Sequence, residues 1–250
     1  MTDKMNGWSR GTVTVRHDWA PGLCTLTIDV GTEGHAAGQF FNIGLPMGDQ
    51  FVRRSYSVAS APGQPLEFLV NRVEDGSLSP QLVDLQPGGH VWVEPRARGF
   101  FTLDYVPTVP DLWLLATGTG LGPYLSMLRE GALFARFERV VIVHGVRYGA
   151  HLAYAQEIEQ LARARGGQLV RVPIVSREDV PGALRGRITD ALHSGRLEER
   201  VGLALDSERS HVMMCGNPAM IEEMMTALET RGMRRHRLRS PGHVTFERYW

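Results

Sequence analysis

Leu112-Trp113-Leu114-Leu115-Ala116-Thr117-Gly118-Thr119-Gly120-Leu121-Gly122-Pro123, residues 112–123, carries the reading of the fold. The unbroken apolar run from Leu112 to Ala116 suits a parallel strand buried on both faces. Glycines then lead into the helical pattern of Leu121 to Phe134. Strand, glycine turn and helix in that order form the place where an open α/β sheet receives a pyrophosphate. Glycines let backbone N–H groups come close to the phosphates, and the helix N-terminus favours negative charge. Pro123 stands where the dinucleotide fingerprint G-x-G-x-x-G has its third glycine, so the turn departs from that pattern. An adenosine-binding methyltransferase has a similar loop. Proline in the first turn leaves the helix intact.

Downstream, strands and helices alternate. Strands are expected at Val140 to His144, Leu169 to Val175, His211 to Cys215 and His243 to Trp250, and helices at Leu152 to Arg163, Ile188 to Ser194 and Ala219 to Arg231. Ile221, Met224, Met225 and Leu228 share one helix face and read as core. This alternation implies a parallel sheet with right-handed crossovers, covered on both faces. Upstream, Thr12 to Arg16, Leu23 to Val30, Gly38 to Ile43, Phe51 to Ala59, Leu66 to Val73 and His90 to Glu94 are short alternating segments cut by Gly and Pro. They predict an antiparallel β-barrel or sandwich. A short helix interrupts them, beginning after Gly76-Ser77 and carrying Leu78, Leu82 and Leu85 at helical spacing. Asp104 to Pro110 reads as the linker, giving an antiparallel barrel over 1–104 and an α/β domain over 105–250.

Three segments outside the glycine turn have the composition of nucleotide sites. In Arg53-Arg54-Ser55-Tyr56-Ser57-Val58-Ala59-Ser60 the period of a strand puts Arg54 and Tyr56 on one face and Ser55 and Ser57 on the other. A cation for a pyrophosphate and a ring to stack on a flat heterocycle then stand side by side, although an ordinary strand with solvated Arg and Ser fits the same letters. Ser77 and Ser79 add hydroxyls at a helix start. After the third strand of the second half, Ser176-Arg177 takes the place where a binder of unphosphorylated NAD has an acidic residue. With Arg187 and Arg147 it points to a phosphorylated ribose. Cys215-Gly216-Asn217-Pro218 repeats the strand–glycine–helix geometry, with a thiol at a strand end; a lone buried Cys is otherwise structural.

Composition narrows the partners. Of 250 residues, 27 are Lys or Arg and 27 Asp or Glu, so no net field favours nucleic acid or a membrane surface. MTDKMNGWSR lacks the apolar run of a signal peptide, and no stretch approaches a membrane span, so a cytoplasmic protein is expected. Two cysteines, Cys24 and Cys215, form neither a disulfide framework nor a zinc or iron–sulfur set, and no metal site is expected. Electron transfer, if it occurs, therefore falls to an organic cofactor. The nine histidines read as structural or surface residues.

Arg54-Ser55-Tyr56-Ser57, Gly76-Ser77-Leu78-Ser79, Ala116-Thr117-Gly118-Thr119-Gly120-x-x-Pro123, Cys215-Gly216-Asn217-Pro218 and a terminal aromatic residue, taken together, resemble the ferredoxin–NADP⁺ reductase family in that family's own order. The short first domain and the ending Glu247-Arg248-Tyr249-Trp250 look most like its bacterial ferredoxin/flavodoxin branch. The plastid branch, in contrast, stops at a tyrosine. The resemblance covers the whole chain. It implies FAD on the barrel, NADP(H) as substrate on the α/β domain, and ferredoxin or flavodoxin as partner; a monomer is expected. By the same resemblance Arg54 would hold the FAD pyrophosphate, Tyr56 would stack on the isoalloxazine and Ser57 would hydrogen-bond near its N5, with Ser55 in the same motif. Ser77, Leu78 and Ser79 would bind the pyrophosphate, and Thr119 would lie beside flavin and nicotinamide. Arg147, Arg177 and Arg187 would grip the NADP phosphate. Cys215 and Glu247, with Ser57, would form the hydride-transfer site, while Tyr249 would approach the isoalloxazine and Trp250 the FAD adenine. Arg96, Arg98 and the run Arg231, Arg234, Arg235, Arg237 and Arg239 offer a basic face for an acidic carrier. Two other readings stay open: an NAD(P)H-dependent flavin or acceptor reductase module of another redox system, and a non-catalytic nucleotide-binding redox regulator.

Overall fold

A computed structural model of the chain describes residues 7–248 and the backbone of Lys4 and Met5. Its contacts divide it into two compact units. One runs through Thr102 and includes Gly122–Glu130, and the other consists of Leu103–Leu121 and the chain from Gly131 onward.

The first unit is an antiparallel, barrel-like sheet. Its strands are β1 (Lys4–Met5), β2 (Trp8–Ala20), β3 (Leu23–Asp29), β4 (Phe40–Met47), β5 (Gln50–Ser57), β6 (Leu66–Asn71) and β7 (His90–Val93). Hydrogen-bonded neighbours follow the order β5-β4-β7-β2-β3-β6, with β1 on β2. Alternation sets the faces, as in β7, where Val91 and Val93 are buried and His90 is exposed. Val13, Leu26, Ile28, Phe41, Ile43 and Phe68 fill the interior with them. Helix α1 (Ser79–Asp84) lays Leu78 and Leu82 on the same core, as the spacing of those residues implies.

Helix α2 (Gly122–Glu130) packs on this unit, so a single cut at residue 104 does not describe the division. Polar side chains hold it there. Ser126 Oγ donates to the Ser60 carbonyl at 2.6 Å, and Arg129 donates to the Ala59 carbonyl and to Glu67. The expected helix from Leu121 to Phe134 is accordingly two. It stops at Glu130, and a four-residue α3 (Leu133–Arg136) follows Gly131. The expected linker is tied down in the second unit, where Arg136 donates to the Leu103 and Val106 carbonyls at 2.6 and 2.7 Å.

The second unit is a parallel sheet of β8 (Asp111–Thr117), β9 (Arg139–Val146), β10 (Leu169–Val175), β11 (Leu184–Arg185), β12 (Ser210–Gly216) and β13 (Val244–Arg248). Its order is β11-β10-β9-β8-β12-β13. The chain steps outward from β8 to β11 and then returns to β12 on the other flank of β8. That reversal makes the gap between the β8 and β12 ends a topological switch point. Helices α4 (Ala155–Ala164), α5 (Ile188–His193), α6 (Arg196–Val201) and α7 (Pro218–Glu229) cover the sheet. Leu115, Val143 and Met214 pack with Ile221, Met224 and Leu228, so the methionine stripe is core. β11 and α6 are too short to leave a periodic signal in the sequence. The last strand is described only to Arg248, and Tyr249 and Trp250 lie outside the described residues. Among the described residues no helix is long and apolar enough to cross a membrane.

Candidate functional site

In the first unit β5 and the turn before α1 meet. Arg54 is exposed, and its Nη2 donates to Ser77 Oγ at 3.0 Å. Two motifs 23 residues apart thus put a guanidinium and a hydroxyl side by side. The other members of the second motif are committed elsewhere. Leu78 is buried in the core, and Ser79 Oγ accepts from the Val73 N–H at 3.0 Å. Leu78 therefore has only its backbone to offer a ligand, whereas the Ser79 hydroxyl, accepting from Val73, keeps its own O–H to donate. Ser55 points to the opposite face and donates to Asn42 Oδ1 at 2.8 Å, while Asn42 Nδ2 donates to Glu94 Oε2 at 2.6 Å. Neither Asn42 nor Glu94 stands in a recognisable motif, and only the register Ser55 to Asn42 reveals the relay. Tyr56 is half-buried, and that burial pushes its hydroxyl up to about 12, against a smaller downward pull from Arg54. Its ring edge is therefore neutral throughout the physiological range. Ser57, at the end of β5, is buried, and a Cβ at Gly122 would stand 3.3 Å from its carbonyl.

In the second unit the strand register assembles a row. His144 of β9 pairs with Ala116 of β8, Ala116 with Cys215 of β12, and Cys215 with Glu247 of β13. Residues paired across a ladder project to the same face. These four thus lie opposite Val143, Leu115 and Met214, which belong to the core under α7. Cys215 is wholly buried and Glu247 half-buried. Cys215 and Glu247, 32 positions apart in sequence, are therefore neighbours in one row by register.

The loops that follow this row close to van der Waals limits. A Cβ at Gly120 would lie 2.3 Å from the Cys215 carbonyl oxygen, and one at Gly216, whose φ is +133°, would lie 2.2 Å from Thr117 Oγ1. Only glycine lets the two turns approach so closely. Thr117 Oγ1 accepts from the Asn217 N–H at 2.8 Å, and Asn217 Oδ1 caps α7 by accepting from Ala219 N–H at 2.8 Å. The half-buried Thr119 sits in the 3₁₀ turn Gly118–Leu121 at this crevice.

Arg147, Arg177 and Arg187 are all exposed beyond strand ends. The Arg177 N–H donates to the Arg147 carbonyl at 2.9 Å, which brings those two loops together. Arg177 Nη1 also donates to the Tyr148 hydroxyl at 3.3 Å, its guanidinium 5.7 Å from that ring's centroid. Tyr148 escaped sequence reasoning, although its place beside Arg147 at a strand end was the available signal. Arg187 starts α5, and its N–H donates to Asp190 Oδ2 at 3.1 Å.

Residues 114–226 match the family model of the oxidoreductase NAD-binding domain. The flavodoxin/ferredoxin–NADP reductase of Escherichia coli (strain K12) is 44% identical over 248 residues, 98% of this chain and 100% of that one. The chain belongs to the flavodoxin/ferredoxin–NADP reductase family. The ferredoxin–NADP reductase of Pseudomonas aeruginosa is 36% identical over 221 residues, covering 84% of this chain and 85% of its own. A crystal structure of a ferredoxin NADP⁺ reductase from Neisseria gonorrhoeae with bound FAD and NADP superposes with a TM-score of 0.91 at 28% identity, covering 98% and 99% of the two chains. The antiparallel unit and the parallel sheet are thus the two halves of this family's fold, as the resemblance implied.

Proposed function

We infer that the chain is an oxidoreductase that transfers hydride between NADPH and FAD, and single electrons between FAD and a ferredoxin or flavodoxin. The observation that carries this reading is the row of Cys215 and Glu247 at a switch point whose walls, Gly120 and Gly216, leave no room for a Cβ. Such a cradle suits a dinucleotide, as the Arg54–Ser77 pair suits a pyrophosphate. FAD, when bound, supplies the conversion between a two-electron hydride and single electrons.

The chain's own residues bind and orient. Arg54, Ser77 and the backbone at Leu78 and Ser79 would hold the FAD pyrophosphate, with Tyr56 and Ser57 beside its ring system and Ser55 bracing β5 through Asn42. Thr119, Cys215 and Glu247 would position the nicotinamide, and Arg147, Arg177 and Arg187 the 2′-phosphate. Tyr249 and Trp250 are proposed to cover the flavin. No acid–base residue is needed, because hydride transfer moves no proton to or from the protein. The purified protein is expected to be yellow and to bleach under anaerobic conditions with NADPH much faster than with NADH. A colourless protein would sink the reading, and equal bleaching rates would sink the preference for NADPH.

For the carrier we propose a smaller docking patch than the sequence suggests. Arg96 is paired with Glu33, Arg98 with Glu94 and Arg231 with Glu198, which neutralises them. Arg234, Arg235, Arg237 and Arg239 remain exposed around a turn whose Leu238 is 73% exposed. An apolar tip ringed by cations suits an acidic protein surface with an apolar centre. Reduction of a ferredoxin or flavodoxin should therefore slow steeply between low and high ionic strength, and rates independent of salt would rule this patch out.

A further inference from the structure

We infer that His144 is a positioning residue for NADPH oxidation: it holds the Gly118 carbonyl inward and so fixes the direction of the next N–H, that of Thr119, in the glycine turn. The inference rests on the assignment of that turn to the dinucleotide. His144 occupies the row of Ala116, Cys215 and Glu247, on the same sheet face, and is buried. Its Nε2 lies 3.0 Å from the Gly118 oxygen. A carbonyl oxygen only accepts, so Nε2 carries the proton and the tautomer is fixed. Burial keeps the ring neutral, pushing its pKa down to about 4, with the neighbouring Arg171 cation acting in the same direction and the Gly118 hydrogen bond opposing both. The bond therefore has the same donor and acceptor from mildly acidic to alkaline pH.

The consequence follows from peptide geometry. In a planar trans peptide the C=O and the following N–H point to opposite sides, and none of the described peptide bonds is cis. Engaging the Gly118 carbonyl from the interior turns the Thr119 N–H the other way. Gly118 has a φ of +54° and meets no atom within 4 Å of a built Cβ, so sterics alone do not hold this peptide. Glycine crosses between backbone basins at small cost, and a flipped Gly118–Thr119 peptide would present a carbonyl oxygen in place of an N–H. That exchange replaces an anion-attracting group by an anion-repelling one. The turn is thus pinned twice: Gly120 is wedged against the Cys215 carbonyl, and Gly118 is tethered to His144.

The test uses the FAD-loaded enzyme with an artificial electron acceptor and two variants. H144M has similar bulk and no donor, whereas H144Q carries an amide N–H at a comparable reach. H144M is expected to raise KM for NADPH and for NADH alike, by about fivefold to tenfold, with kcat nearly unchanged, because both cofactors share the pyrophosphate. H144Q should recover most of the loss. A KM unchanged in H144M, or a fall confined to kcat, would overturn the inference, as would failure of H144Q to rescue. Nitrogen-15 NMR of the unmodified holoenzyme tests it without any variant: the neutral Nε2–H tautomer is expected at pH 7, and an Nδ1–H ring or an imidazolium would overturn it. Unmodified enzyme that oxidised neither NADPH nor NADH would overturn the functional reading and this inference with it. Active enzyme with an indifferent H144M would overturn this inference alone.

Discussion

Gly216→Ala is expected to cost about 2–4 kcal/mol of stability and to impair NADPH oxidation, through one added carbon atom. Gly216 is buried at the end of β12 with φ +133°, a region that side chains rarely enter. The new Cβ would stand 2.2 Å from Thr117 Oγ1 and 2.8 Å from the Thr117 carbonyl. The hydroxyl must move, and with it goes the 2.8 Å bond from Asn217 N–H. Asn217 caps α7, so the disturbance reaches the helix N-terminus as well as the crevice. Thermal unfolding of the holoprotein should show a fall of about 5–15 °C, scaling that cost by the usual change per kcal/mol for a chain of this size. Thr117→Val removes the same hydrogen bond without the clash and should cost only about 1 kcal/mol. In the Gly216→Ala background, Thr117→Ala removes the clashing hydroxyl and should restore part of the loss; a strictly additive double variant would show that the two side chains do not interact. A fall below about 1 °C in Gly216→Ala would mean that the crevice relaxes freely, against the close approach on which the dinucleotide cradle depends.

The distribution of information between sequence and fold follows from range. Periodicity is local, so the buried run Leu112 to Ala116 and the stripe Ile221, Met224 and Leu228 announced a core strand and a helix face, and both are in the core. A glycine turn between strand and helix is equally local. Pairing of β12 with β13 is not local. That Cys215 and Glu247 share a row depends on strand register, which residue types alone do not fix, and family resemblance suggested the pair where composition did not. The division into units escaped a linear reading for a related reason. α2 follows β8 after a single 3₁₀ turn, yet Ser126 and Arg129 tie it to Ser60, Ala59 and Glu67, more than fifty residues upstream. Charge runs misled in a third way. Arg231, Arg96 and Arg98 count as cations in a sequence, but folding pairs them with Glu198, Glu33 and Glu94. Asn42 was invisible because it acts through bonds set by strand register, accepting from Ser55 and donating to Glu94, whereas Tyr148, which accepts from Arg177, had only its place beside Arg147 to mark it.

Arg177→Ala is expected to separate the two nicotinamide cofactors. Arg177 is exposed, and its side chain meets the rim of Tyr148, so its removal should leave stability within about 0.5 kcal/mol. NADPH carries a 2′-phosphate that NADH lacks. A charge-assisted hydrogen bond to it is worth about 1.5–3 kcal/mol, which is about a tenfold to hundredfold rise in KM for NADPH. The phosphate is remote from the reacting carbon and is held equally in ground and transition states, so kcat should stay nearly constant. KM for NADH should move less than about twofold, since no contact to it is lost. Because the guanidinium is solvated, the penalty should shrink as ionic strength rises. Tyr148→Phe provides the control, as it removes the hydroxyl that steadies Arg177 at 3.3 Å while leaving the cation in place. It should raise KM for NADPH only slightly. Steady-state kinetics with both cofactors decide the matter: an equal loss for NADPH and NADH in Arg177→Ala would mean that this side chain serves the Arg147–Tyr148 loop through its bond to the Tyr148 hydroxyl, and that cofactor choice is made elsewhere.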